Sequence, residues 1–180
     1  MKRYTRQLLL LLLMLGIVSE PLATVNEEKA IRGAIQRYFT LLKTGRYAQL
    51  YDSLPESFQQ QANREEVARS LGRLGEFLKL ERIEIGKIEQ RGEIAVATTT
   101  ILGALTRPIT INNREIRQGR VSSQQYLIRE NRVWKIASAN ERTLRAFMKD
   151  HPEVENLFPQ TLTRFELLSD GKWIKMPGSR

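Results

Sequence analysis

The sequence predicts an α+β fold: three N-terminal helices packed on one face of a curved antiparallel sheet, a cone, followed by a C-terminal helix and β-hairpin tail. Apolar residues recur at helical spacing before Leu80 and alternate with polar residues after it, and two-residue turn signals separate the alternating stretches. Helices first and strands second is the order of an α+β protein, not of a parallel βαβ sheet. At 180 residues the chain is long enough to bury a core within one domain.

The first helix starts at Thr24, which forms a capping box with Glu27, and it carries Ile31, Ala34, Ile35, Tyr38, Phe39 and Leu42 along one face. Gly45 stands where such a helix stops. A second helix, residues 47–53, ends before Pro55, whose ring disfavours helical backbone at Leu54. Asn63, with Glu66 three residues later, announces a third that carries Val67, Leu71 and Leu74 on one side. The strands begin with "LERIEIGKIEQ", turn at Arg91-Gly92 into "EIAVATTTIL", and continue as two short arms about Asn112-Asn113 in "RPITINNREIRQ". "GRVSSQQYLI" and "RVWKIAS" follow, joined at Glu130-Asn131. In the tail, Leu144, Phe147 and Met148 mark a short helix that His151-Pro152 ends, and Asp170-Gly171 turns a hairpin. The hairpin places Phe165, Leu167, Ile174 and Met176 on one face, which is expected to dock on the main domain.

Residues 1–23 read as a secretory signal: Lys2, Arg3 and Arg6, an apolar run from Leu8 to Val18, then small and polar residues. Cleavage is expected near Ser19 to Ala23. The alternative is an uncleaved membrane anchor, for which the run is short. This divides the chain into a leader, 1–23, a main domain, 24–139, and an extension, 140–180, and predicts export to the periplasm or beyond. The absence of cysteine excludes disulfides, thiol catalysis and cysteine metal sites. The net charge of +9 stays positive once the leader is removed. For an exported domain this points to anionic lipid head groups, cell-wall polymers or an acidic partner ahead of nucleic acid, the alternative being a solvated basic surface that recognises nothing.

The corner "TGRYAQLYDSL" and the later "VWKI" strand, set in this order of helices and strands, resemble the nuclear transport factor 2-like superfamily, the cystatin-like cone that includes ketosteroid isomerase and polyketide cyclases. The resemblance covers about residues 25–139. It implies a cavity between helices and curved sheet, used in that superfamily for catalysis, ligand binding or assembly, with the Gly45-to-Pro55 corner closing its narrow end. On this reading Tyr38 or Tyr51 donates a hydrogen bond into the cavity. The plainer reading makes Tyr51 a core aromatic with a satisfied hydroxyl and Asp52 a surface or helix-end residue. Thr98, Thr100, Ser123 and Gln125 are the strand residues able to bond a ligand, with Ser122, Gln124 and Tyr126 in their place if the other strand face points inward.

None of these groups is a base at neutral pH, whereas proton-transfer catalysis on such a fold needs an acid or histidine facing the cavity and a second donor. The sole histidine, His151, sits at a helix end, and no ligand cluster, phosphate loop, nucleophile elbow or zinc-helix motif accompanies it. No catalytic residue, metal or cofactor is therefore expected. Arg107, Arg114, Arg117 and Arg120 surround the Asn-Asn hairpin with Glu115 alone opposing them nearby. They form either an anion-binding finger suited to phosphate or carboxylate, or an edge hairpin that its charge keeps unpaired. Trp173, between Lys172 and Lys175, is either an exposed contact residue or a cover for the main domain. The resulting expectation is an exported, non-catalytic ligand-binding or protein-interaction domain. Its candidate partners are a small apolar or amphipathic ligand, an anionic envelope component, and a second copy through the sheet face. The alternatives are an isomerase- or cyclase-like enzyme using a cavity carboxylate, and an envelope domain that holds anionic polymer or lipid through the arginines.

Overall fold

The computed structural model describes residues 25–139 and 141–176, so the expected leader and the Thr24 cap lie outside the described residues. Helix α1, Val25–Lys43, has Glu27 and Glu28 in its first turn and Lys43 in its last, charges that oppose the ends of the helix dipole. It buries the expected stripe of Ile31, Ala34, Ile35, Phe39 and Leu42. Gly45, at φ 68°, ends it in a left-handed cap. The Arg46 amide donates to the Leu41 carbonyl at 2.9 Å and the Gly45 amide to that of Leu42 at 3.2 Å, the paired bonds of a Schellman motif.

Helix α2, Tyr47–Asp52, is short as expected, but another helix follows it before the third announced by the sequence. This is α3, Glu56–Gln61, which begins at Pro55 with no side-chain cap of its own. Its first amide, Glu56, donates instead to Glu130 Oε2 at 3.0 Å, a carboxylate brought in from the sheet. Helix α4, Arg64–Phe77, has the expected cap: Asn63 Oδ1 accepts from the amides of Glu65 and Glu66 at 2.8 and 3.2 Å.

Six antiparallel strands follow: β1 Leu78–Arg91, β2 Ile94–Ile111, β3 Arg114–Glu130, β4 Val133–Ile136, β5 Arg164–Ser169 and β6 Lys172–Lys175. Between β4 and β5 lie α5, Glu141–Asp150, and α6, Glu153–Leu157. The sheet order is β1-β2-β3-β5-β6, with β4 also on β3. β4 and β5 share the same edge of β3, one on Leu127 to Glu130 and the other on Gly119 to Ser122. The tail hairpin therefore docks by lengthening the main sheet. Three turns, Asn112-Asn113, Asn131-Arg132 and Asp170-Gly171, have positive φ at both central residues, the geometry that matches the twist of paired strands. The turn expected at Glu130-Asn131 thus lies one residue later. The two arms about Asn112-Asn113 are also the ends of β2 and β3 and not separate short strands.

β1 carries two register irregularities, between Leu80 and Arg82 and between Ile85 and Ile88, and α1 covers both. Lys43 Nζ donates to the Glu81 carbonyl at 2.7 Å, and the Arg32 guanidinium donates to the carbonyls of Ile85 and Gly86 at 2.9 and 3.3 Å. The inner sheet face packs Ala95, Ala97, Leu127, Trp134 and Ile136 against Ile31, Ala34 and Ile35 of α1. A second inner cluster, including Phe39, Leu50, Leu54, Phe58, Val67, Leu78 and Leu167, fills the space beneath α2 to α4. Among the described residues the outer face is covered at one end, where Ile94, Val96, Tyr126 and Ala137 meet Phe147, Val154 and Phe158 of α5, α6 and the residue after it.

Candidate functional site

Alternation along β2 and β3 sorts the predicted ligand residues onto opposite faces. Ala95, Ala97 and Leu127 face α1, so Thr99, Ser123 and Gln125 share that inner face, where Ala97 pairs with Gln125 and Thr99 with Ser123. Ile94, Val96 and Tyr126 face the C-terminal helices, so Thr98 and Thr100 lie on the outer face opposite Gln124 and Ser122. Thr98 is exposed there, and Thr100 Oγ1 stands 2.9 Å from Ser122 Oγ. The sheet therefore separates Thr98 and Thr100 from Tyr38, Ser123 and Gln125.

On the inner face the polar groups form a chain. Ser138 Oγ, which accepts the Tyr126 amide at 2.9 Å, donates to Gln125 Oε1 at 3.2 Å, and Gln125 Nε2 donates to Ser123 Oγ at 3.2 Å. Thr99 Oγ1, almost fully buried, donates to the Ser123 carbonyl at 3.4 Å. Tyr38 reaches in from α1, and its hydroxyl donates to the Ala139 carbonyl, next to Ser138, at 3.4 Å. Burial pushes the Tyr38 hydroxyl well above the ordinary tyrosine range, so it remains a neutral donor. Ile83, Ile101 and Phe165, partly buried, flank the inner clusters. Thr99 and Ser138 are members of this group that the sequence reading did not single out; Thr99 shares a face with Ser123 once the register is known.

Tyr51 is not part of this chain. Its hydroxyl lies 2.7 Å from the Gln59 carbonyl and 2.8 Å from the Ala62 carbonyl, both acceptors, and so closes the corner on itself. Asp52 lies on the surface in an ion pair with Arg64 at 2.7 Å.

Three of the four hairpin arginines meet carboxylates: Arg114 pairs with Asp170, Arg117 with Glu115 at 2.6 Å, and Arg120 with Glu166 at 2.7 Å. Arg107 is exposed. The Arg120 hydrogen bond, opposed by partial burial and helped by the charges of Arg120, Arg164 and Lys175, holds the Glu166 carboxyl below its ordinary range. A second network anchors the start of α1. Arg129 bonds Glu93 through two nitrogens at 2.5 and 2.7 Å and Glu27 at 2.6 Å, and the Trp134 indole donates to Glu27 at 2.9 Å. The Arg129 hydrogen bond likewise lowers the Glu93 carboxyl. His151 packs on the Phe147 ring at 4.9 Å and lies 3.4 Å from Glu153. Among the described residues no group of three or more histidine, cysteine or acidic side chains could hold a metal ion.

No protein-family model matches the chain, and no curated protein is similar to it. Among solved structures, it is similar to Aln2 from a Streptomyces species, at 8% identity and TM-score 0.47 over 64% of this chain and 89% of that one. It is similar to a protein of unknown function from Mycobacterium tuberculosis, at 15% identity and TM-score 0.45 over 62% of this chain and 68% of the other. It is also similar to an NTF2-like protein with a cystatin-like fold from Novosphingobium aromaticivorans, at 16% identity and TM-score 0.41 over 76% and 86%. No activity carries over from these likenesses. By its own topology the chain is an α+β fold, helices first and then a six-stranded antiparallel sheet among the described residues.

Proposed function

We propose that the chain is an exported, non-catalytic domain that binds a small apolar or amphipathic ligand on the inner face of its sheet. The observation that carries this reading is the convergence of Tyr38, Thr99, Ser123, Gln125 and Ser138 on one face, beside apolar Ile83, Ile101 and Phe165. A few oriented polar groups within an apolar lining is the usual composition of a small-molecule site. All five side chains are neutral near pH 7, so they select a ligand by hydrogen bonding and supply no proton acceptor for catalysis. A ligand carbonyl or hydroxyl would accept the Tyr38 hydrogen bond in place of the long one to Ala139. Export rests on the leader read from the first residues; among the described residues no helix is long and apolar enough to cross a membrane.

Native mass spectrometry of the mature chain, gently purified and repeated in rising salt, tests the site. The expected result is a discrete small-molecule adduct that survives salt and is lost or weakened in Tyr38→Phe and Gln125→Leu. A bare protein mass for the wild type, or an adduct that both variants keep, overturns the reading. Export has a separate readout, the N-terminal residue of the protein recovered from the envelope fraction, which should lie near 20–24.

A further inference from the structure

Half of the outer sheet face lies beyond α5 and α6 and is not covered by any other described helix. There the register lines up Arg82, Leu102, Arg120, Glu166 and Lys175 in one row across β1, β2, β3, β5 and β6. Beside the row is a depression of about 300 Å³, lined by Glu81, Arg82, Leu102, Gln118 and Trp173 and floored by Gly103 and Gly119. That volume is at the lower end of small-molecule sites, roughly 300 to 1,000 Å³.

Three features build this depression. Glu81 is the extra residue of the irregularity between Leu80 and Arg82, a device that re-aims a side chain, and Lys43 takes up its carbonyl. Gly103 pairs with Gly119 across the two central strands. Both glycines fall on the inner side of the alternation, where a Cβ at Gly103 would stand 2.5 Å from the Lys79 carbonyl oxygen and 2.9 Å from Leu78 Cγ, so only their backbone faces the depression. The Trp173 wall is held on one side by the Arg120 guanidinium, 4.4 Å from the ring centroid, and Glu166 fixes that guanidinium in turn.

Both arginines of the row are paired, Arg82 with Glu84 at 2.8 Å and Arg120 with Glu166 at 2.7 Å. What remains without a protein partner among the described residues is the Glu81 carboxylate, the Gln118 amide and the Trp173 indole N–H. They are respectively an acceptor, a donor and acceptor together, and a donor beside an aromatic ring. The unpaired charge in the lining is the Glu81 carboxylate, which repels an anion, and the exposed Lys175 lies outside that lining, whereas a neutral ring bearing several hydroxyls finds a partner for each kind of group. We propose that this depression binds a neutral saccharide, with the C–H face of a pyranose against Trp173 and its hydroxyls bonded to Glu81 and Gln118. The electron-rich indole face favours that apolar, weakly positive sugar face.

The test is a glycan array read with the full chain, followed by calorimetric titration with N,N′-diacetylchitobiose, cellobiose and maltose. The expected result is saturable binding of at least one neutral glycan, unchanged in about 0.5 M salt because no net charge drives it. Affinity should fall roughly tenfold or more in Trp173→Ala and several-fold in Gln118→Ala, as for loss of a contact and of a hydrogen bond. Gln118→Ala removes an amide with no protein partner, so it keeps the test decisive if Trp173→Ala loosens the hairpin. Failure of every neutral glycan to bind overturns the proposal. So does binding that both variants retain, or binding confined to anionic glycans that collapses in salt.

Discussion

Arg32→Met should destabilise the fold by more than its own helix accounts for, because Arg32 serves β1 as well as α1. Eleven residues separate Arg32 from Lys43, about 16 Å along a helix. Five separate Glu81 from Gly86, about the same along a strand. The two elements run antiparallel, so one cation of α1 falls on each irregularity of β1. At Ile85 and Gly86 the guanidinium makes one good bond at 2.9 Å and one long bond at 3.3 Å, and it also pairs with Glu28 one turn back at 2.8 Å. The good bond, charge-assisted but only partly buried, is worth about 1.5 kcal/mol, and the exposed Glu28 pair about 0.3–0.5 kcal/mol. Arg32→Met keeps the aliphatic stem and should therefore cost about 2 kcal/mol, a shift of about 4–8 °C in Tm for a chain of this size. Glu28→Gln removes only the helix pair and should cost no more than about 0.5 kcal/mol. Urea unfolding of both variants, with amide exchange at Gly86 and Lys87, measures the difference. Equal stability of Arg32→Met and Glu28→Gln would refute the idea that α1 supports the strand irregularities.

Tyr51→Phe should lose about 1–2 kcal/mol, because one hydroxyl proton serves two carbonyls that the corner otherwise leaves unpaired; unchanged stability with altered ligand binding would move Tyr51 into a binding role. Phe147→Ala should cost about 3 kcal/mol or more by emptying the layer between Tyr126 and α6, and limited proteolysis should then cut first between residues 141 and 163; a loss below about 1 kcal/mol would mean that the C-terminal helices are not a packed layer. Glu93 and Glu166 titrate below their ordinary value of 4.5 in the folded chain, so the stability they contribute is complete above that value and is lost as pH falls through their lowered folded values. The urea midpoint should accordingly be level from about pH 8 to about 5 and fall below it. The Glu93→Gln, Glu166→Gln double variant should flatten that acid limb, and an unchanged limb would assign it to other carboxylates.

The helices that local chemistry starts and stops were legible in the sequence. Asn63 caps α4 from its own side chain, and Gly45 ends α1 in the left-handed region. Helix α3 was not legible, because its first amide is bonded by Glu130, seventy-four residues away. Strand length was also hidden. Pro108 argues for a break in "LTRPITI", yet β2 runs through it at a register irregularity between Ala104 and Ile109, where a missing amide costs least. The face of each strand residue was the hardest to read. At the start of β2 both faces are covered, by α1 and by α5 with α6, so Ile94 and Val96 alternate with Ala95 and Ala97 and neither set looks solvated. Thr98 and Thr100 could not be told from Thr99 by pattern alone. The partners of the hairpin arginines were hidden for a related reason: Asp170 and Glu166, which pair with Arg114 and Arg120, come from the far end of the chain.

The tail determines what each face of the sheet can do. Residues 24–139 alone would leave Ile94, Val96 and Tyr126 uncovered on the outer face, and it is Phe147, Val154 and Phe158 that bury them. The same tail adds β5, whose Leu167 completes the inner cluster beneath α2 to α4 and whose Phe165 borders the inner polar residues. Its last strand then places Trp173 over Arg120 on the half of the outer face that α5 and α6 do not reach. One segment thus closes the apolar end of the outer face, completes the inner face and equips the remaining surface with an aromatic wall. Here the C-terminal extension hides half of the outer face and shapes the other half, so the outer face is as much a candidate for recognition as the inner one.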